Sequence, residues 1–311
     1  MVSLVRLSSS NLDEFKKLYE ENFKRETYDK DFFEYYTNQS FIPKMFSKKF
    51  VKLFMYNGEF IGYIWYELPI DIQVKVFSLY VEDKYIDIIN NNIFKKFNEK
   101  SLVYESIENS SSNKLLNNLG FKKARPSLIM SLKVDDYKKG DEIENIKFNV
   151  QHNSNLLNLL NRYSEQKNNI ISVSFQKVDI KNEALLRCEI QNNVFRNIDR
   201  VPIEVEDIEN DFKQEYYIED LAIFMKLNNI VVAYGQIIYI RKMYTIVNFG
   251  VVDIFRGMGI GKLLLDNLIS KAREKNIDEL ALGVDKNNIN AISLYKWIGF
   301  KHRYDIARWE R

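Results

Sequence analysis

The chain has 311 residues, of which 46% are apolar and 28% charged, the balance of an ordinary folded protein with enough apolar surface for more than one core. Its formal net charge of +2 is too small to call for nucleic acid or an anionic membrane as a partner. A single cysteine, Cys188, excludes an internal disulfide; residues 1–6 lack the apolar run of a signal peptide and no stretch is long enough to span a bilayer, so the expected home is cytoplasmic.

Residues 2–7 read as a strand. Asn11 is then expected to cap a helix reaching about Lys24, with Leu12, Phe15, Leu18, Tyr19 and Phe23 on one side. A second helix covers residues 29–38. Strands over 50–56 and 60–67 flank Asn57-Gly58, a strong hairpin signal. There follow a strand over 72–81, a helical stretch over 83–97, a strand over 102–107, a helix over 113–119 ended by Gly120, and a strand over 128–134. Residues 135–171 read as a connection, polar through Glu144 and helical over 156–163.

The second series opens with a strand over 173–178. Helices follow over 184–196, with Cys188 in its apolar positions, and over 205–216, after Pro202. Strands over 221–227 and 230–241 form a hairpin across Asn228-Asn229. Tyr244 to Val252 is a strand rich in β-branched and aromatic residues. Ile260 to Lys275 is a helix whose Ile260, Leu263, Leu264, Leu268 and Ala272 recur at three- and four-residue steps. Residues 279–284 are another strand.

The two series run in the same order. Gly62-Tyr63 aligns with Ala233-Tyr234, Val81 with Val251, and Leu115-Leu116-Asn117-Asn118-Leu119-Gly120-Phe121 with Leu294-Tyr295-Lys296-Trp297-Ile298-Gly299-Phe300. A repeat whose period is a whole domain implies a duplicated fold rather than a solenoid. The expected organisation is a first domain over 1–134, a partly helical linker over 135–171 and a second domain over 172–311.

Chemistry concentrates between the strand ending at Val252 and the helix starting at Ile260, in Arg256-Gly257-Met258-Gly259-Ile260-Gly261-Lys262. Glycine allows positive φ and a close backbone approach to a ligand. The first N–H groups of a helix have no internal acceptor and sit at the positive end of its dipole. Strand, glycine turn and helix start together make an anion cradle suited to a pyrophosphate, with Arg256 and Lys262 adding charge. A Walker loop is excluded because Gly261-Lys262 is followed by Leu263, and the glycine order is not that of a Rossmann fingerprint.

Downstream lies Asn288-Ile289-Asn290-Ala291-Ile292-Ser293-Leu294-Tyr295-Lys296-Trp297-Ile298-Gly299-Phe300. Here residues 172–311 resemble the GNAT superfamily of acyl-CoA-dependent N-acetyltransferases. Arg256, Gly259 and Gly261 meet that family's acetyl-CoA loop; Asn288, Ala291, Leu294, Tyr295, Gly299 and Phe300 meet its next block. The resemblance implies an α+β fold of two tandem GNAT-like domains, each a mostly antiparallel mixed sheet flanked by helices. It implies acetyl-CoA as cofactor, bound by Val251, Arg256, Gly257, Met258, Gly259, Ile260, Gly261, Lys262, Asn288 and Ala291. The first copy is degenerate: Ile86-Asp87-Ile88-Ile89-Asn90-Asn91 stands where the glycine loop should be, and Leu116 replaces Tyr295.

The resemblance further implies direct attack of a primary amine on the acetyl thioester. The Val251 N–H would contact the carbonyl oxygen, and Tyr295 would be the general acid. Asn288 would either bond the cofactor arm or cap its helix. No carboxylate lies on Tyr244-Thr245-Ile246-Val247-Asn248-Phe249-Gly250, where many GNAT enzymes carry a glutamate, and Gly283 stands near the other usual place. Water held by Thr245 or Asn248, an acid from the first domain, Glu219 or Asp220, or no base at all remain as alternatives. The acids between 195 and 220, Asp199, Glu204, Glu206, Asp207, Glu209, Asp211, Glu215, Glu219 and Asp220, read either as a solvated face or as a rim attracting a cationic amine. His152 and His302 have no second ligand at metal spacing, so no metal is expected. The acceptor is a small-molecule or peptide amine and the protein a monomer or homodimer. The alternatives to an enzyme are a non-catalytic acyl-CoA sensor or interaction module and, more remotely, a nucleotide binder.

Overall fold

Asn57 and Gly58 both take positive φ (50° and 86°), the geometry that lets a two-residue turn join twisted antiparallel strands. They connect β2 (Val51–Tyr56) to β3 (Glu59–Tyr66). The computed structural model describes residues 2–24, 30–37, 47–67, 73–97, 101–138, 147, 153–162, 171–196 and 201–311. The chain divides into unit 1, Met1–Ile129 with Asp285–Asn287 and Tyr304–Arg311, and unit 2, Met130–Val284 with Asn288–Arg303.

In unit 1 the strand order is β1 (Ser3–Arg6), β2, β3, β4 (Gln73–Val81), β5 (Ser101–Ile107) and the end of β12 (Lys301–Glu310). All neighbours are antiparallel except β4 and β5, which run parallel over Gln73↔Ser101 to Lys75↔Val103. From Gly62 onward, alternation along β3 divides two cores, and the bulge at Ile61 turns that residue to the second of them. Tyr63 and Trp65 pack with Phe15, Leu18 and Tyr19 of α1 (Leu12–Lys24) and Phe32 of α2 (Phe32–Thr37). Ile61, Ile64 and Tyr66 pack with Leu115 and Leu116 of α3 (Ser110–Asn118), and with Ala307 and Trp309 from the far end of the chain.

Three local expectations are corrected. Asn11 does not cap α1: a 3-10 turn, Ser9–Asn11, precedes the helix. The Asn11 side chain instead turns back, accepting the Ser8 N–H at 2.8 Å and donating to the Arg6 carbonyl at 3.1 Å. Residues 83–97 are two 3-10 turns, Asp83–Ile88 and Asn91–Phe97, with Ile89 extended between them. The Asn90 carboxamide accepts the Asn92 N–H at 3.1 Å, a local bond that competes with a helical ladder. Ile86 and Ile89 are buried there, so this stretch turns its own side chains inward. The helix expected over 205–216 ends at Phe212, because Tyr217 already belongs to a strand and its ring packs on Phe212.

In unit 2 the order is the end of β6 (Lys122–Lys133), β11 (Glu279–Asp285), β10 (Met243–Val251), β9 (Ile230–Ile240), β8 (Tyr217–Leu227) and β7 (Val173–Lys177). The helices are α4 (Ser154–Arg162), α5 (Ala184–Val194), α6 (Val205–Phe212), α7 (Ile260–Glu274) and α8 (Ile289–Ile298). α7 lays Leu264 and Leu268 over Gly235 of β9, where a Cβ would meet Leu268 at 3.0 Å. The repeat holds in register: Gly62 pairs with Val81 across β3–β4, and Ala233 with Val251 across β9–β10. Both units thus have a mixed sheet in which antiparallel pairs accompany a parallel one, β4–β5 and β10–β11.

Candidate functional site

β10 builds the site. It pairs with β11 in parallel only from Tyr244↔Leu280 to Ile246↔Leu282, while its pairing with β9 continues to Val251. Beyond Ile246 the two strands part. At the same point the β9–β10 register slips between Val247 and Gly250, and Asn248 takes φ of 51°. This is a bulge, and it turns the strand. Gly250 is needed beside it, since a Cβ there would lie 2.1 Å from Cγ1 of Val194, the last residue of α5.

After Val251 the Val252 N–H donates to the Val232 carbonyl at 2.9 Å, and a 3-10 turn, Asp253–Phe255, anchors the loop through buried Phe255. Gly257 (φ 78°) and Gly259 (φ 86°) make the left-handed steps that launch α7. A Cβ on Gly257 would meet nothing within 4 Å, so the turn is open on its outer side. The first helical bond runs from the Leu263 N–H to the Gly259 carbonyl at 3.1 Å, so the amides of Ile260, Gly261 and Lys262 precede the ladder. Gly261 differs from the other two, because it lies in the helix without positive φ. Its added Cβ would make ordinary contacts with Leu294 and Val251 at 3.6 Å and Phe249 at 3.8 Å. Met258 is half-buried and Ile260 buried.

The two cations do different things. Arg256 donates to the Val251 carbonyl at 3.1 Å and the Val194 carbonyl at 2.7 Å, and pairs with Asp253. It clamps the end of α5 to the end of β10. Lys262 lies over the Trp297 ring of α8.

α8 starts at Asn288, whose side-chain oxygen accepts the Ala291 N–H at 3.1 Å. Of the two roles open for Asn288, the structure displays the cap. The helix ends at Gly299 (φ 113°), with the Gly299 and Phe300 amides returned to the Tyr295 carbonyl. Tyr295 is 7% exposed. Its ring stands between Phe249 and Phe300, centroids 6.1 and 6.0 Å away. Burial raises its phenol to about 12, and its hydroxyl has no hydrogen-bond partner among the described residues. Val251, Gly261, Phe249 and Tyr295 therefore share one neighbourhood.

The other candidates lie elsewhere or are engaged. Thr245 donates to the Met243 carbonyl at 3.3 Å. Glu219 pairs with Lys177, and Asp220 with Lys177 and Lys275. Asp211 takes Arg187 and the Tyr216 hydroxyl, and Asp207 accepts the Glu204 N–H. Asp199 and His152 lie outside the described residues. Burial raises the Cys188 thiol, which donates to the Ile203 carbonyl; it is a packing residue. Sequence reading missed Phe249, Val194 and Arg187. An arginine amid Leu185, Leu186, Cys188 and Ile190 was the available signal for the last, and Asn248 beside Phe249-Gly250 for the bulge.

Residues 190–300 match the family model described as Acetyltransferase (GNAT) family. A Dictyostelium discoideum protein, an uncharacterized N-acetyltransferase, is 50% identical over 46 residues, 15% of this chain and 21% of its own length. An uncharacterized N-acetyltransferase of Bacillus subtilis is 36% identical over 67 residues, 22% of this chain and 43% of its own. The match thus spans less than half the length of either relative. Among solved structures, a GCN5-related N-acetyltransferase from Sphaerobacter thermophilus superposes with a TM-score of 0.66 at 13% identity, covering 100% of this chain and 95% of that one. A tandem GNAT protein from the clavulanic acid biosynthesis pathway does so at 0.58 and 10% identity, covering 100% and 98%. These likenesses carry the fold. No described helix is long and apolar enough to cross a membrane.

Proposed function

We infer, from the match of residues 190–300 to the GNAT acetyltransferase family model, that unit 2 transfers an acetyl group from acetyl-CoA to a primary amine. The observation that carries the reading is the parting of β10 from β11 beyond Ile246, beside the glycine turn of α7 and the phenol of Tyr295. The turn fits the cofactor: two left-handed glycines, an open outer side at Gly257 and three amides preceding the helical ladder suit a diphosphate.

When bound, acetyl-CoA would supply a thioester open to direct attack by the amine, the amine adding to the carbonyl and the thiol leaving as the amide forms. The amides of residues 257–262 would hold its diphosphate, and the Arg256 clamp fixes the end of α5 to the end of β10 beside that turn. The Val251 N–H would donate to the carbonyl oxygen and hold the charge that develops there. Tyr295 would donate its O–H to the sulfur of the leaving thiol. A phenol at about 12 is a weaker acid than an ordinary thiol of about 8.5. Tyr295 therefore acts as a hydrogen-bond donor and relay, and the proton lost by the amine is the one the thiol gains. With Glu219 and Asp220 ion-paired, water at Asn248 is the base we favour.

The test is thiol release from acetyl-CoA by the full chain with a pool of primary amines. The reading predicts release that depends on amine and on Tyr295. The absence of a carboxylate on β10 favours a second reading, a non-catalytic acyl-CoA module. Tight CoA binding with no release from any amine would establish that one.

A further inference from the structure

A cavity of about 290 Å³ opens at α5, α6 and the bulge of β10, with Arg187, Gln191, Asp207, Asp211, Tyr216 and Asn248 in its wall. Arg187 is a cation only 1% exposed. Its guanidinium lies among the rings of Phe212, Tyr217 and Tyr234, 5.1, 5.6 and 5.2 Å from their centroids, and its Nη2 is paired with the Asp211 carboxylate. Rings and carboxylate fix its position. Yet Nε and Nη1 lack a hydrogen bond of good geometry, as do the Tyr217 hydroxyl beside them and Oε1 of Gln191, all four atoms buried, so the Tyr217 hydroxyl can complete at most one of the two spare donors and leaves the other and Gln191 open. Gln191 is four residues on, one turn along the same face of α5. Desolvated donors beside a desolvated acceptor are unfavourable unless something completes them.

We propose, resting on the acyl-transfer reading, that this cavity holds the acceptor, and that the acceptor carries a carbonyl oxygen next to its amine, as an α-amino acid or its amide does. The oxygen accepts from Arg187 and the amine's N–H donates to Gln191 Oε1. Two carboxylates, Asp207 and Asp211, against one guanidinium leave the wall net acidic, which suits an ammonium group. The cavity meets β10 at Asn248, one residue before Phe249, whose ring adjoins Tyr295. The amine therefore waits at the bulge where β10 has left β11. A simple alkyl amine leaves both Arg187 and Gln191 uncompleted, so the two residues select against it.

Three molecules that differ only at the carbonyl group test this: L-leucinamide, L-leucine and isoamylamine. Each is titrated calorimetrically into the full chain with and without saturating CoA. Leucinamide or leucine is expected to bind at least about tenfold more tightly than isoamylamine. The order of those two tells a neutral carbonyl from a carboxylate. Gln191→Met, similar in length and without the acceptor, should remove most of that preference while the melting temperature and CoA affinity stay unchanged. Arg187→Met should do the same if it folds; Gln191→Met decides if it does not. Isoamylamine binding as tightly as leucinamide, no binding of any of the three, or an unaltered preference in Gln191→Met overturns the assignment. Thiol release with the same molecules reports on the reaction separately. A binding preference without release keeps the cavity's ligand and removes the transfer reading, whereas equal acetylation of all three does the reverse.

Discussion

The ring of Tyr295 lies against that of Phe249, centroids 6.1 Å apart at 56°, so a residue of α8 and a residue of the β10 bulge enclose the point where the sheet opens. Phe300 adds a second ring at 6.0 Å, and neither contact engages the phenol oxygen. Tyr295→Phe keeps the ring and removes only that oxygen. Thiol release should fall by about 10²–10⁴-fold, with CoA affinity and melting temperature near their wild-type values. A rate within threefold of wild type would remove Tyr295 from the reaction.

Burial places the Tyr295 phenol at about 12, above its ordinary 10.0. The folded chain therefore keeps the proton that the unfolded chain loses first. The stability this contributes is complete below pH 10 and fades as pH rises toward 12. Ultraviolet difference titration of wild type against Tyr295→Phe should show one phenol ionising near 12. Thiol release should not decline on the alkaline side through loss of that proton below about pH 11. A phenol titrating at 10 or lower contradicts the buried placement.

Trp309 sits near the end of the chain but is 3% exposed and belongs to the core of unit 1, where β12 pairs Trp309 with Tyr104 of β5. Trp309→Ala should cost about 3–5 kcal/mol. Hydrogen exchange should show protection lost first in Ser101–Ile107 of β5. Loss confined to β10 and α7 would mean that the last strand serves unit 2 instead.

Much of this was legible because local signals and packing agree. The hairpin at Asn57-Gly58, the apolar stripe of α7 and the glycine turn before it are each fixed within a few residues, and the structure repeats them. The correspondence of Val81 with Val251 is visible in sequence because the same partner position, Gly62 or Ala233, recurs with it. The misses have a common cause. Whether residues 83–97 become α-helix depends on Asn90 bonding Asn92, a competition that periodicity does not register. Arg256 looks like phosphate charge in sequence, yet its reach to the Val194 carbonyl, 62 positions away, exists only once α5 lies on Gly250. The membership of Tyr304–Arg311 in unit 1 is likewise a long-range pairing with no local mark.

The central claim is that the amides around Gly257 and Gly259 grip the diphosphate of CoA. Titrating CoA into the full chain and into Gly259→Glu tests it most directly, since that change sets a carboxylate and a Cβ at a left-handed residue where the anion should sit (φ 86°). Asn90→Glu, an exposed change in the equivalent stretch of unit 1, serves as the control. The account predicts one CoA site, abolished in Gly259→Glu and intact in Asn90→Glu. Unchanged affinity in a folded Gly259→Glu chain, or loss of binding in Asn90→Glu alone, would contradict it.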